Sequence, residues 1–94
     1  MNAVLDGRAF ATSRVLCKDL GDEAILLDLT TETYFGLNAA GSRLWTLLTT
    51  TPTIRDAFAV MLEEYDLAPD ELLQDMTALI AELVDRGLLR TGNA

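Results

Sequence analysis

At 94 residues the chain has room for one hydrophobic core, because a second would call for roughly another 50 residues. Half of the residues are apolar and 23% are charged, the balance of a chain that folds rather than one that stays disordered. Fifteen acidic against seven basic residues give a net charge of -8, and Asp56 to Asp85 holds nine acids and no base, which argues against nucleic acid and anionic membrane as partners.

The first predicted strand covers Phe10 to Lys18, where Val15 and Cys17 alternate with Arg14, Leu16 and Lys18. Leu20-Gly21-Asp22-Glu23 supplies a turn, since Gly tolerates positive φ and Asp accepts local backbone hydrogen bonds. Ala24 to Leu29 is nearly continuous in apolar residues and suits a central strand, interrupted only by Asp28. After the polar turn Thr30 to Glu32, Thr33-Tyr34-Phe35-Gly36-Leu37 carries the β-branched and aromatic residues of a third strand. Together the three predict an antiparallel meander.

Asn38 can cap a helix through Ala39 to Leu48, with Leu44, Trp45, Leu47 and Leu48 on one apolar stripe, ended by Thr49 to Pro52. Thr53 followed by Asp56 resembles a capping box with Asp in place of Glu. It starts a helix to about Tyr65 that buries Ile54, Ala57, Phe58, Met61 and Leu62. Pro69 suits a first helical turn, Asp70 and Glu71 favour the positive end of the helix dipole, and Gly87 suits the stop. This third helix carries Leu72, Leu73, Met76, Leu79, Ile80, Leu83 and Val84, a wider stripe than one packing seam needs. The expectation is an α+β, winged-helix-like single domain over 1–94, a three-stranded antiparallel sheet followed by three helices, with an ordered core of about 10–90.

Cys17 is the sole cysteine and His is absent, which removes an intrachain disulfide, the usual soft metal sites and the commonest catalytic base. Met1 to Phe10 mixes acid and base without a signal-peptide core, and no run of ~18 apolar residues exists. A cytoplasmic protein without membrane span is expected. Glu63 and Glu64, like Asp70 and Glu71, are chain neighbours that point to different sides of a helix and form no catalytic pair. Gly21, Gly36 and Gly41 have no phosphate-loop spacing. The chain is therefore expected to be no enzyme, with no cofactor and no metal. Winged-helix topology raises a transcriptional regulator as an alternative, yet the last two helices offer only Arg55, Gln74 and Arg86 to read bases, among many acids. A structural subunit is the other alternative.

In a short meander the third strand can be terminal, leaving alternate backbone N–H and C=O groups free to pair with an extended peptide. The surplus face of the third helix around Leu72, Met76 and Leu79 can line a pocket beside that edge, or these residues can simply be core. Periodicity leaves both open.

Leu20 to Leu48, LGDEAILLDLTTETYFGLNAAGSRLWTLL, resembles the PqqD-like family: a leucine-rich strand, a tyrosine-containing strand ending Gly-Leu-Asn, a small-residue helix start and a tryptophan. Thr53 to Tyr65 stands in place of the family's second helix, and LVDRGLL, Leu83 to Leu89, resembles its closing pattern. The resemblance implies a peptide-recognition domain that binds the leader of a ribosomally made precursor and delivers it to maturation enzymes. Lasso peptide biosynthesis, with a leader peptidase and a cyclase, is favoured over the quinone cofactor pathway by the Thr33 to Leu37 strand.

Carried over from the family, the leader would add as a strand along Thr33, Tyr34, Phe35, Gly36 and Leu37 and pack on Leu72, Asp75, Met76, Leu79 and Ile80 of the third helix. A one-residue slip would exchange Tyr34 and Phe35 between the faces, so the register stays open. Asp75 can pair a leader Lys or Arg or sit at the solvent margin. Leu37, Leu44, Trp45 and Phe58 read as structural, and Met76→Asp is expected to weaken leader binding with folding intact.

Overall fold

The structure, a computed structural model, describes residues 3–93. A 3-10 turn at Ala3–Asp6 leads into β1 (Gly7–Ala11), followed by β2 (Val15–Asp19), β3 (Ala24–Asp28) and β4 (Thr33–Leu37). Helices α1 (Ala39–Thr50), α2 (Ile54–Glu64) and α3 (Pro69–Asp85) come next, and then β5 (Leu89–Asn93). β2, β3 and β4 pair antiparallel in that order, so the three-stranded sheet and three helices of the expected α+β class are present. β1 and β5 add a two-stranded antiparallel sheet that was not expected, with Ala9 opposite Thr91.

The single strand predicted over Phe10 to Lys18 is instead two strands in different sheets. Hydrogen bonding at the joint supplies the reason. Thr12 donates its N–H to Leu88 O at 3.2 Å and its hydroxyl to Gly87 O at 2.8 Å, drawing β1 toward β5. Val15 N–H to Thr12 O closes a turn that redirects the chain into β2. Alternating polarity runs unbroken through this turn, so the pattern could not reveal it. The core also reaches beyond the expected 10–90 window, since Leu5 and Ala9 are buried in it and β5 extends to Asn93.

Helix starts follow the local chemistry. Asn38 Oδ1 accepts the Gly41 N–H at 2.8 Å, and Thr53 Oγ1 accepts the Asp56 N–H at 3.1 Å. The Asp56 carboxylate accepts the Thr53 hydroxyl at 2.9 Å rather than reaching a backbone N–H, the variation that a side chain shorter than Glu imposes on a capping box. α3 starts on Pro69 without a side-chain cap. It ends where Gly87 turns left-handed at φ 75°, with Gly87 N–H to Val84 O and Leu88 N–H to Leu83 O, each 3.0 Å, closing a Schellman motif. That stop delivers Leu88 and Leu89 into the core and starts β5.

One core cluster joins the inner face of the sheet to all three helices. β3 alternates, with Ala24, Leu26 and Asp28 buried and Ile25 and Leu27 between them half-buried. On α3, Leu72, Met76, Ile80 and Leu83 form the buried seam, Leu73 and Leu79 are half-buried on its flanks, and Val84 is exposed. The wide stripe thus divides into a core seam and a flank that remains partly open.

Candidate functional site at the β4 edge

β4 is terminal in its sheet: its one partner among the described strands is β3. The register settles which side chains face the helices. Leu26, fully buried, lies opposite Phe35, and Ala24 lies opposite Leu37, so Phe35 and Leu37 share the inner face. Tyr34 lies opposite Leu27, on the outer face, and is 71% exposed.

Between the inner side of β4 and α3 runs a groove of about 310 Å³. Phe35, Gly36 and Leu37 line it from the strand, and Leu72, Asp75 and Leu79 from the helix. These six of the ten expected positions are brought together. Asn38, Ala40, Gly41 and Leu44 from the start of α1, Met61 from α2 and Leu67 from the connection before α3 complete the wall. Sequence reasoning had given Asn38 only a capping role and Leu44 only a structural one. The available signal was the small-residue run Ala39-Ala40-Gly41 at the helix start, of which Ala40 and Gly41 line the groove. Gly41 also leaves room there: a Cβ would lie 3.2 Å from Asn38 Oδ1 and 3.4 Å from a Leu37 methyl, a tight fit that those side chains would have to yield to.

Four expected positions lie elsewhere. Met76 and Ile80 point into the core, Met76 fully buried and Ile80 at 5% exposure, and neither lines the groove. The expectation that Met76→Asp leaves folding intact is therefore corrected: a carboxylate there would lie in a dry interior. Thr33 and Tyr34 lie on β4 but border a second cleft of about 270 Å³ at the other end of the strand, with Arg14, Asp28, Thr31, Phe35, Arg86 and Leu88.

The groove is largely apolar, its walls contributed by Phe, Leu, Met and Ala side chains, with Asp75 as the charged group at its rim. Above Gly36 a Cβ would meet nothing within 4 Å, so the face of the strand there is uncovered. Arg43 braces the helices beside it, donating from Nε to Glu64 Oε1 at 2.8 Å and from Nη2 to Oε2 at 2.6 Å. This hydrogen bonding holds the Glu64 carboxyl below its ordinary value and the Arg43 guanidinium above its own. At the opposite end of β4, Asp28 is buried. Burial pushes its pKa up but is outweighed by hydrogen bonds from Thr30 N–H, the Arg14 guanidinium at 2.8 Å and Thr31, which leave it below the usual carboxylate value.

An apolar groove beside an unpaired strand edge can add an extended peptide to the sheet and seat its side chains on a helix. Among the described residues no cluster of three or more His, Cys, Asp or Glu is placed to hold a metal. No helix of the described residues is long and apolar enough to cross a membrane.

Residues 23–89 match the family described as Coenzyme PQQ synthesis protein D (PqqD). The chain belongs to the PqqD family. The matched span of this PqqD-family chain runs from the turn before β3 to the first residue of β5, and so contains both walls of the groove. A solved structure of TbiB1 in complex with the TbiA(beta) leader peptide is similar over 90% of this chain and 98% of that one, with a TM-score of 0.81 and 32% sequence identity. Among curated proteins none matches the chain. As a PqqD-family domain with this structural likeness, the chain is a recognition element and not an enzyme.

Proposed function

We propose that the chain binds the leader of a ribosomally synthesised precursor by strand addition to β4, with leader side chains seated in the groove against Leu72, Asp75 and Leu79 of α3. The observation that carries this reading is the groove itself. It lies between the terminal strand β4 and α3, and it belongs to a fold shared with a protein solved with a leader peptide bound. The other sheet edge, β2, is exposed along nearly its whole length. Met76 and Ile80 support the site from beneath by fixing the position of α3, and Thr33 and Tyr34 extend the edge past the groove.

In this role the domain would work in the cytoplasm as a single module. It would raise the effective concentration of the precursor at a leader peptidase and cyclase of a lasso peptide pathway. The lasso type is favoured over quinone cofactor assembly by the Thr33 to Leu37 strand. A DNA-reading role draws no support, because α3 exposes Asp70, Glu71, Asp75, Glu82 and Asp85 and no base within its length.

Fluorescence anisotropy with synthetic leaders encoded by short reading frames beside the gene tests the proposal. Saturable binding to one leader, lost when its apolar anchors are replaced by Ser, supports it. A folded protein that binds none of them rejects it.

A further inference from the structure

We propose that the second cleft, at the Thr33 end of β4, is a carboxylate subsite that selects an acidic side chain in the bound peptide and thereby sets its register. This rests on the peptide-binding reading above and adds to it a residue class and a position.

The cleft gathers two guanidinium groups, Arg14 and Arg86, around a single carboxylate, Asp28. Within the lining that is two guanidinium groups to one carboxylate, with Glu82 outside it beside Arg86. Arg14 is committed to Asp28 at 2.8 Å, although its Nε is buried without a hydrogen-bond partner. Arg86 is differently placed. Its one ion pair among the described residues, with Glu82, is 3.5 Å long, and its guanidinium rests 4.8 Å from the centroid of the Phe35 ring. Arg43 and Arg55, by contrast, hold their partners at 2.6 and 2.8 Å. Among the described residues Glu82 is thus the one partner of the five Arg86 N–H donors, and the guanidinium borders the cleft beside Thr31 and Thr33, whose hydroxyls bond each other at 2.8 Å. A planar guanidinium with N–H groups left to donate fits a carboxylate.

Position gives the subsite its meaning. Phe35 lines both the apolar groove and this cleft, so the two are consecutive stations along one strand edge. From Leu37 to Thr33 the strand covers about 13 Å, and a paired peptide would place side chains of one face at every second residue along it. An apolar anchor in the groove therefore puts an acidic residue at the cleft when the two are two or four positions apart. Asp75 sits at the groove end and Arg86 at the cleft end of α3, so charge runs from negative to positive along the site. A leader with its acid at the Arg86 end is favoured, and the reversed or slipped peptide meets a like charge.

The test is selection of a displayed library of random dodecapeptides against the wild-type chain, Arg86→Glu and Arg86→Lys. The wild type and Arg86→Lys should enrich Asp or Glu two or four residues from an apolar anchor, and Arg86→Glu should enrich Lys or Arg there. Peptides selected by the wild type should bind Arg86→Ala about five-fold or more weakly. Enriched binders with no acidic preference, or with the same preference in Arg86→Glu, overturn the subsite while leaving peptide binding standing. A wild-type chain that enriches nothing removes peptide binding and the subsite together.

Discussion

The guanidinium of Arg86 lies 4.8 Å from the centroid of Phe35, so the aromatic that walls the groove is backed by the residue that caps α3. Phe35 also sits opposite the fully buried Leu26, which fixes its ring on the inner face of the sheet. With strand register and helix end both holding it, the ring is a preformed contact surface rather than one assembled on binding. Phe35→Ala should weaken leader binding by about 1–3 kcal/mol, a hot-spot loss. Because Phe35 is only partly buried, the same variant should remain folded by circular dichroism. Anisotropy showing unchanged affinity would place the leader elsewhere.

The two faces of α3 make opposite predictions. Met76 is fully buried, and Met76→Ala should cost about 2–5 kcal/mol of stability in urea unfolding, with Met76→Asp failing to fold. Leu79 is half-buried on the groove wall, so Leu79→Asp should keep the fold and lower affinity by about 1–3 kcal/mol. If Leu79→Asp binds as the wild type does, α3 is not part of the site.

That division marks where sequence reasoning stops. The helices were legible because their caps and stripes are local: Asn38, Thr53, Pro69 and Gly87 all act where their chemistry predicted. The β4 edge was legible from its place in the meander. Which half of the α3 stripe is core depends on what packs against it, and Leu72 and Asp75 reach the groove while Met76 does not through tertiary placement alone. The register of Tyr34 and Phe35 was likewise open until the β3 partner was fixed. The β1 and β5 pairing was hidden because it joins the two ends of the chain and because Thr12 spends its polar groups on Leu88 and Gly87, contacts that no local pattern encodes.

Strand addition has a signature that side-chain packing lacks. Only alternate peptide residues turn their N–H toward β4, so N-methylation scanned along a bound leader should abolish binding at every second position and leave the positions between nearly unaffected. Titration calorimetry of the scanned peptides reads this directly. A flat response to N-methylation, with apolar anchors still required, would mean the leader lies on α3 without pairing to β4.

Acid should destabilise the domain in part through Asp28 and Glu64. Burial raises the Asp28 pKa, yet its hydrogen bonds from Thr30, Arg14 and Thr31 leave it below the ordinary value of 3.8, and the Arg43 hydrogen bond holds Glu64 below 4.5. Both folded-state values are depressed relative to the unfolded chain, so their contribution is complete above the unfolded values. It is lost as pH falls through them toward the folded ones, where the unfolded chain takes up protons the folded chain refuses. The melting temperature should therefore hold steady from neutral pH down to about 5 and decline below about 4.5. Asp28→Asn should melt lower at neutral pH and lose less on acidification than the wild type, because one of the two titrations has been removed. Melting curves that fall in parallel for wild type and Asp28→Asn would show that the Arg14–Asp28 contact does not set the acid response.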